Sequence, residues 1–207
     1  MEANTGIQVL ISSYNCEQYL NDCFASMETA FNGYKWMMIF CDDESTDNTE
    51  SLVDAYKTTT SADRVVYQKF EKASIVGAAK NRACSLALQY KTEYPVICFM
   101  DSDDTMGEQR ISGLLPELSE DHKLVFGDFI LLKQNENGEW VIMEALEDDG
   151  MDGHIPASRM EEHLTFGPWS TLALASLIPE DGVFFREDIP HYEEVLTWWS
   201  LRYRTVY

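Results

Sequence analysis

Residues 98–106 read CFMDSDDTM, so that Cys98, Phe99 and Met100 run straight into Asp101, Asp103 and Asp104. An apolar run that stops at closely spaced acids has the form of a buried strand reaching solvent, and the acids repel one another unless water or a cation lies between them. Two chemistries follow. The acids either form a solvated turn that opens the next helix, or they hold a hard divalent cation. Mg²⁺ and Mn²⁺ take oxygen ligands, commonly one or two carboxylates together with substrate phosphates. A cation so placed would neutralise a departing diphosphate. Other polar groups invite the same question. Tyr14, beside Ser12 and Asn15 in SSYN, is either a core aromatic or a platform for a nucleobase. Asp42 and Asp43 in DDESTD are either helix-capping acids or ligands. GAAKN (Gly77 to Asn81) opens a helix with small residues that admit a ligand, where Lys80 or Arg82 would answer a phosphate charge. The histidines His122, His154, His163 and His191 have no ligand spacing.

Positioning these groups requires a frame, and alternating periodicities supply one. IQVLI reads as a buried strand, and WMMIFC, RVVYQK and PVICFM read as further strands. Between them, apolar residues recur at helical spacing in Leu20, Cys23, Phe24, Met27 and Phe31, then Leu52, Val53 and Tyr56, then Ala79, Ala83, Leu86, Ala87 and Tyr90. Asp47, three residues before Glu50, predicts a capping box for the second helix. Uninterrupted apolar strands joined by helices imply a parallel sheet covered on both faces, with ligands beyond the carboxyl ends of its strands. SSYN, DDESTD and DSDD all fall at such ends. After DSDD, Ile111, Leu114, Leu115 and Leu118 mark another buried helical face. From about Lys123 the pattern shifts to strands in KLVFGDFILL and EWVIM about the turn NENG, predicting a hairpin or a mixed-sheet extension. The acidic stretch Glu144 to His163 reads as a mobile loop, and a helix is expected around Glu193 to Leu201.

Composition narrows the partners. The 207 residues, 45% apolar, suffice for one domain with a real core. Acidic residues number 36 against 15 basic, a formal net charge of −21, which disfavours nucleic acid and anionic membrane surfaces. The cysteines Cys16, Cys23, Cys41, Cys84 and Cys98 are odd in number and lack a CxxC pair. They read as buried reduced thiols of a cytoplasmic protein. No apolar run approaches the roughly 18 residues of a transmembrane segment.

The order VLISSYNCEQYL, IFCDDESTDNT, GAAKNRA, FMDSDDTM and PWSTLALASLIPEDGVFFREDIPHYEEVLTWW resembles the family 2 glycosyltransferases of the GT-A fold over nearly the whole chain. The resemblance implies an α/β, Rossmann-like, mostly parallel sheet flanked by helices, with a smaller mixed-sheet extension on the acceptor side. Residues 1–122 would bind the nucleotide sugar and residues 123–207 the acceptor, within a single domain. It further implies a UDP- or GDP-sugar donor, a hydroxyl-bearing acceptor such as a glycan or glycoconjugate, Mn²⁺ or Mg²⁺, and inversion at the anomeric carbon. Carried over by position, Ser12, Tyr14 and Asn15 would line the nucleobase pocket and Asp43 would bond the base. Asp103 would lie by the ribose and metal, Asp104 would ligate the metal directly, and Asp101 would support them as part of a DxD-type motif. Lys80 stands where the family more often has arginine or leucine, and Thr171 where it carries a basic residue. Glu193 and Glu194 resemble the family's late acidic pair, more often Glu-Asp, whose second member is the catalytic base. Trp169 in GPWS is either core or an aromatic platform for the acceptor sugar. The competing expectations are a nucleotidyltransferase, which lacks support from any Gly-rich basic loop after the first strand, and a catalytically silent nucleotide-sugar binding module.

Overall fold

The computed structural model describes residues 1, 4–71, 75–127, 130–137, 140–145 and 170–188. The expected βα alternation is present as β1 (Ile7–Ser13), α1 (Leu20–Ala30), β2 (Trp36–Asp42), α2 (Thr49–Tyr56), β3 (Arg64–Lys69), α3 (Val76–Ala87) and β4 (Val96–Asp101). These four strands are parallel, in the order β3-β2-β1-β4. The chain therefore winds outward from β1 to β3 and returns through α3 to the other side of β1. That reversal places a switch point between β1 and β4, where open α/β sheets leave a crevice for ligands.

Both faces of the sheet are buried at β1, β2 and β4, whereas β3 is only partly covered. Ile7, Val9 and Ile11 pack with Leu20, Cys23, Phe24 and Met27 of α1 and Val53 of α2. Leu10, Met37 and Ile39 face the opposite layer, formed by Ala83, Cys84 and Ala87 of α3 with Phe184 and Phe185. The period of 2 along each strand thus divides its side chains between two helical layers. All five cysteines are buried and unbridged, as expected of reduced thiols.

Beyond β4 the structure departs from the sequence expectations in identifiable ways. The helix marked by Ile111, Leu114, Leu115 and Leu118 is only α4 (Arg110–Leu114) followed by a 3₁₀ turn over Leu115–Glu117. Pro116 accounts for the change, since it lacks the N–H and clashes with the preceding turn of an α-helix. KLVFGDFILL divides into β5 (Leu124–Phe126) and β6 (Ile130–Gln134). The hairpin and the mixed-sheet extension both occur: β6 pairs antiparallel with β7 (Trp140–Ala145), while β5 joins the main sheet. β5 does so through a strand not anticipated, β8 (Thr171–Leu174), which lies antiparallel between β4 and β5. A fully buried run this short carries no periodicity to reveal it. Asp47 sits one residue before the Asn48 N-cap, and its Oδ1 accepts the Thr49 N–H at 3.0 Å.

The two helices of one layer are tied by Glu28 of α1, which accepts hydrogen bonds from Tyr56 Oη (2.5 Å), Thr60 Oγ1 (2.5 Å) and Ser61 N (3.1 Å). Burial alone would raise the Glu28 pKa, but the bonds from Ser61, Thr60 and Tyr56 outweigh it and hold the carboxyl below its ordinary value. A depressed acid contributes stability above its unfolded pKa and loses it as pH falls through the folded value. Glu28→Gln is therefore expected to lower Tm by roughly 2–4 °C at pH 7, about 1 kcal/mol in a protein of this size. The gap to wild type should close on acidification. Thermal melts across pH 3 to 7 check this, and a constant gap would contradict the role given to the charge.

Candidate active site

The site is assembled at the carboxyl ends of β1, β2 and β4. Strand pairing sets Ser12 opposite Asp101 across the switch point, and Ser13 opposite Asp42 on the other side. Just beyond, Tyr14 presents a side chain that is 58% exposed, so it is a surface aromatic rather than a core one. Asn15 has φ 50°, and Glu44, in the loop after β2, has φ 71°. The left-handed turn at Asn15 lets the two loops interlock. The Asn15 N–H donates to Ser45 Oγ and its Oδ1 accepts the Thr46 N–H, both at 2.8 Å. Glu17 and Asp47 add a second crossing, since Asp47 accepts the Glu17 N–H (3.0 Å) and Glu17 accepts the Asn48 N–H (2.7 Å). Asn15 thus shapes the rim on which Tyr14 stands.

The adjacent acids at the end of β2 separate in function: Asp42 closes the strand and Asp43 follows it. Asp42 is fully buried; it accepts the Ser45 N–H at 2.8 Å and the Tyr67 hydroxyl at 2.6 Å. It is a structural acid that fixes the loop. Asp43, 5% exposed, pairs with the Arg82 guanidinium, which itself stacks on the Phe70 ring at 4.3 Å. Of the two cations considered for phosphate, Arg82 is therefore engaged beside Asp43. Lys80 is directed elsewhere: it is buried, with Nζ 5.6 Å from the centre of the Phe185 ring, and it acts electrostatically on Asp104.

The acidic loop after β4 is anchored from beneath. Ser102 and Met106 are buried, the Met106 N–H donates to Ser26 Oγ of α1 at 2.9 Å, and the Asp104 N–H closes a turn on the Asp101 carbonyl at 3.2 Å. Asp103 and Asp104 are left at the surface. The Asp104 carboxyl is pushed up to about 6, first by the protein crowded around it and then by Asp101 and Asp103, with Arg110 and Lys80 offsetting part of the rise. The Cys23 thiol below is also driven up, chiefly by burial, with Cys16 and these three aspartates adding to it. The loop is thus an anionic field fixed in place.

This donor set suits a hard cation that is shared with a ligand. Among the described residues no three His, Cys, Asp or Glu side chains form a group that could hold a metal ion. Asp103 and Asp104 alone could share Mg²⁺ with phosphate oxygens, since one or two carboxylates commonly suffice when the ligand supplies the rest.

Comparisons with known proteins establish the family and the fold. The sequence pattern of glycosyl transferase family 2 matches residues 8–176. This chain belongs to that family. It is 32% identical over 125 residues to glycosyltransferase GlyG of Streptococcus pneumoniae, covering 59% of this chain and 38% of that protein. It is 33% identical over 108 residues to the UDP-Glc:alpha-D-GlcNAc-diphosphoundecaprenol beta-1,3-glucosyltransferase WfaP of Escherichia coli, covering 51% and 38%. The chain spans about two fifths of the length of these curated relatives. In fold it is similar to S. aureus TarS 1-349, with a TM-score of 0.71 at 19% identity, over 94% of this chain and 54% of that one. TarS in complex with UDP gives 0.70. The family's GT-A architecture is the one described above.

Within this glycosyl transferase family 2 domain, the frame brings Ser12, Tyr14, Asn15, Asp43, Lys80, Asp101, Asp103 and Asp104 to one edge of the sheet. Trp169, Glu193 and Glu194 lie outside the described residues, as does most of the acidic stretch 144–163. The described residues contain no helix long and apolar enough to cross a membrane. Two residues escaped the sequence reading. Arg110 donates through Nη2 to the carbonyls of Phe99 and Thr171, both at 3.0 Å, where the pairing of β4 with β8 ends. It places positive charge beside fully buried Thr171. No local pattern announces it. Asn81 was legible in principle, because Gly77, Lys80, Asn81, Cys84 and Ala87 share a buried helical face on which an amide requires partners.

Proposed function

We propose that this chain transfers a sugar from a nucleotide diphosphate donor, with UDP favoured as the nucleotide, to a hydroxyl-bearing glycan or glycoconjugate, with inversion at the anomeric carbon. The observation that carries the reading is the meeting, at one switch point, of an exposed Tyr14, the Asp43–Arg82 pair and the anchored aspartates 101, 103 and 104. WfaP is named for a UDP-glucose donor and a TarS structure contains UDP, which supports the choice of nucleotide.

In this reading Tyr14 stacks on the base, with Ser12 and Asn15 shaping its pocket and Asp43 reading its edge. Asp103 and Asp104 hold Mn²⁺ or Mg²⁺ and Asp101 supports them. The bound cation supplies charge neutralisation for the departing diphosphate. Lys80 adds a fixed positive charge beneath the same loop. On the opposite side of the sugar, Glu194 takes the proton of the attacking acceptor hydroxyl, with Glu193 beside it. Trp169 offers an aromatic face to the acceptor.

Thermal melting with UDP, Mn²⁺, and both together tests the reading. Only the combination should raise Tm by several degrees, because a ligand selective for the native state adds stability through mass action. A shift with UDP that is indifferent to a chelator would remove the metal, and no shift with either UDP or GDP would remove the nucleotide site.

A further inference from the structure

We infer that Asn81 is a positioning residue whose side-chain amide fixes the segment Phe184–Glu187 onto the turn of α3 that carries Lys80 and Arg82, setting where the chain departs toward Glu193 and Glu194. The inference rests on the reading of Glu194 as the base.

All four hydrogen-bonding capacities of the Asn81 amide are used. Its Oδ1 accepts the N–H groups of Phe184 (2.9 Å) and Phe185 (2.7 Å), and its Nδ2 donates to the Phe185 carbonyl (2.8 Å) and to Glu187 Oε1 (2.9 Å). The side chain is 4% exposed, so each bond stands in place of one to water. No other residue type reproduces the set: aspartate lacks the donors, and leucine of similar shape would leave backbone groups of Phe184 and Phe185 unsatisfied.

Adhesion of this segment does not depend on Asn81. Phe184 and Phe185 are buried against Phe99 of β4, with ring centres 6.0 and 5.2 Å away. Apolar packing is non-directional and tolerates slippage, whereas a bidentate clamp on successive backbone groups fixes register. The direction is also fixed. Gly182, at φ 75°, lies so close to Ser85 that a Cβ there would stand 2.9 Å from the Ser85 Cα. One helical turn back, Asn81 holds Phe184 to Glu187. The segment therefore runs antiparallel to α3, toward the helix end that follows β3 at the carboxyl edge of the sheet. The neighbours on that turn serve the donor side, Lys80 near Asp104 and Arg82 on Asp43. A single turn of α3 thus joins the donor groups to the segment that leads to the acceptor side.

The test uses the full chain, UDP with Mn²⁺, and UDP release from UDP-glucose. Asn81→Asp keeps the two acceptor bonds but removes both donors and opposes the Glu187 carboxylate. It should lower kcat about a hundredfold, the cost of a small misplacement of reacting groups, while the UDP–Mn²⁺ affinity stays within twofold. Adding Glu187→Gln, which can donate to the new carboxylate, should recover at least tenfold of the loss. In Asn81→Ala the Phe184 and Phe185 amides should exchange hydrogen at least tenfold faster while α3 stays protected. Affinity falling in step with kcat, an unchanged kcat, or a double variant no better than the single one would overturn the positioning role. Unaltered exchange at Phe184 and Phe185 would overturn the clamp itself. Wild-type protein that neither binds UDP nor releases it would instead remove the glycosyltransferase reading, leaving the exchange result to decide the clamp.

Discussion

Asp104→Asn is expected to abolish Mn²⁺-dependent transfer and, at the same time, to raise the Tm of the ligand-free protein at neutral pH. Under the proposed function, the first effect follows from loss of a direct metal ligand. Charge stabilisation worth several kcal/mol disappears, which at about 1.4 kcal/mol per tenfold amounts to a rate loss of about 10³ or more. The second effect follows from the carboxyl's raised pKa, which moves from 3.8 to about 6 first through the protein crowded around it and then through repulsion by Asp101 and Asp103. A carboxyl with a raised folded-state pKa binds more protons folded than unfolded between those values, so stability falls as pH climbs through the interval. Asparagine carries no such charge. The variant should therefore melt above wild type at pH 7 and draw level near pH 4, by an amount limited because Asp104 reaches solvent and water screens part of the repulsion. Adding UDP with Mn²⁺ should reverse the order, because only wild type gains from the ligand. Scanning calorimetry at both pH values, with and without UDP and Mn²⁺, measures all of this. An ordinary solvated turn predicts neither the reversal nor the loss of transfer. A variant that melts below wild type at pH 7, or gains as much from UDP and Mn²⁺, would return Asp104 to that plainer role.

The parts of this molecule legible in its sequence are those whose signal is local. Strands β1, β2 and β4 declare themselves because both faces of the sheet are covered there, so Ile7 to Ile11, Gln8 excepted, and Trp36 to Cys41 are apolar. The helices between them declare themselves through the matching stripe, as in Leu20, Cys23, Phe24 and Met27. The acidic loop was legible because acids are costly at the end of a buried strand unless they have a use. What stayed hidden depends on partners distant in sequence. β8 is recognisable as a strand only once β4 and β5 stand on either side of it. Asp42 and Asp43 look interchangeable until Tyr67 and Arg82 claim one each. Arg110 is one more surface-type cation until the carbonyls of Phe99 and Thr171 converge on it. Asn15 likewise spends its amide oxygen on Thr46, so that it shapes the rim on which Tyr14 stands.

Glu194→Gln is expected to reduce kcat by about 10² to 10⁴, the range for removing a positioned general base, without changing UDP–Mn²⁺ affinity. The expectation rests on the resemblance, by which Glu194 occupies the second position of the family's late acidic pair; the family match itself ends at residue 176. Substitution by glutamine keeps the size and removes the proton acceptor. Glu193→Gln should cost less than Glu194→Gln, since it orients rather than accepts. Single-turnover transfer across pH 5 to 9, run beside UDP calorimetry, separates chemistry from binding. A Glu194→Gln variant with kcat within fivefold of wild type would assign the proton to another group. If wild type itself bound UDP and Mn²⁺ tightly with no turnover on any hydroxyl acceptor, and Glu194→Gln changed nothing, the domain would be a nucleotide-sugar binding module and the anchored aspartates a grip rather than a catalyst.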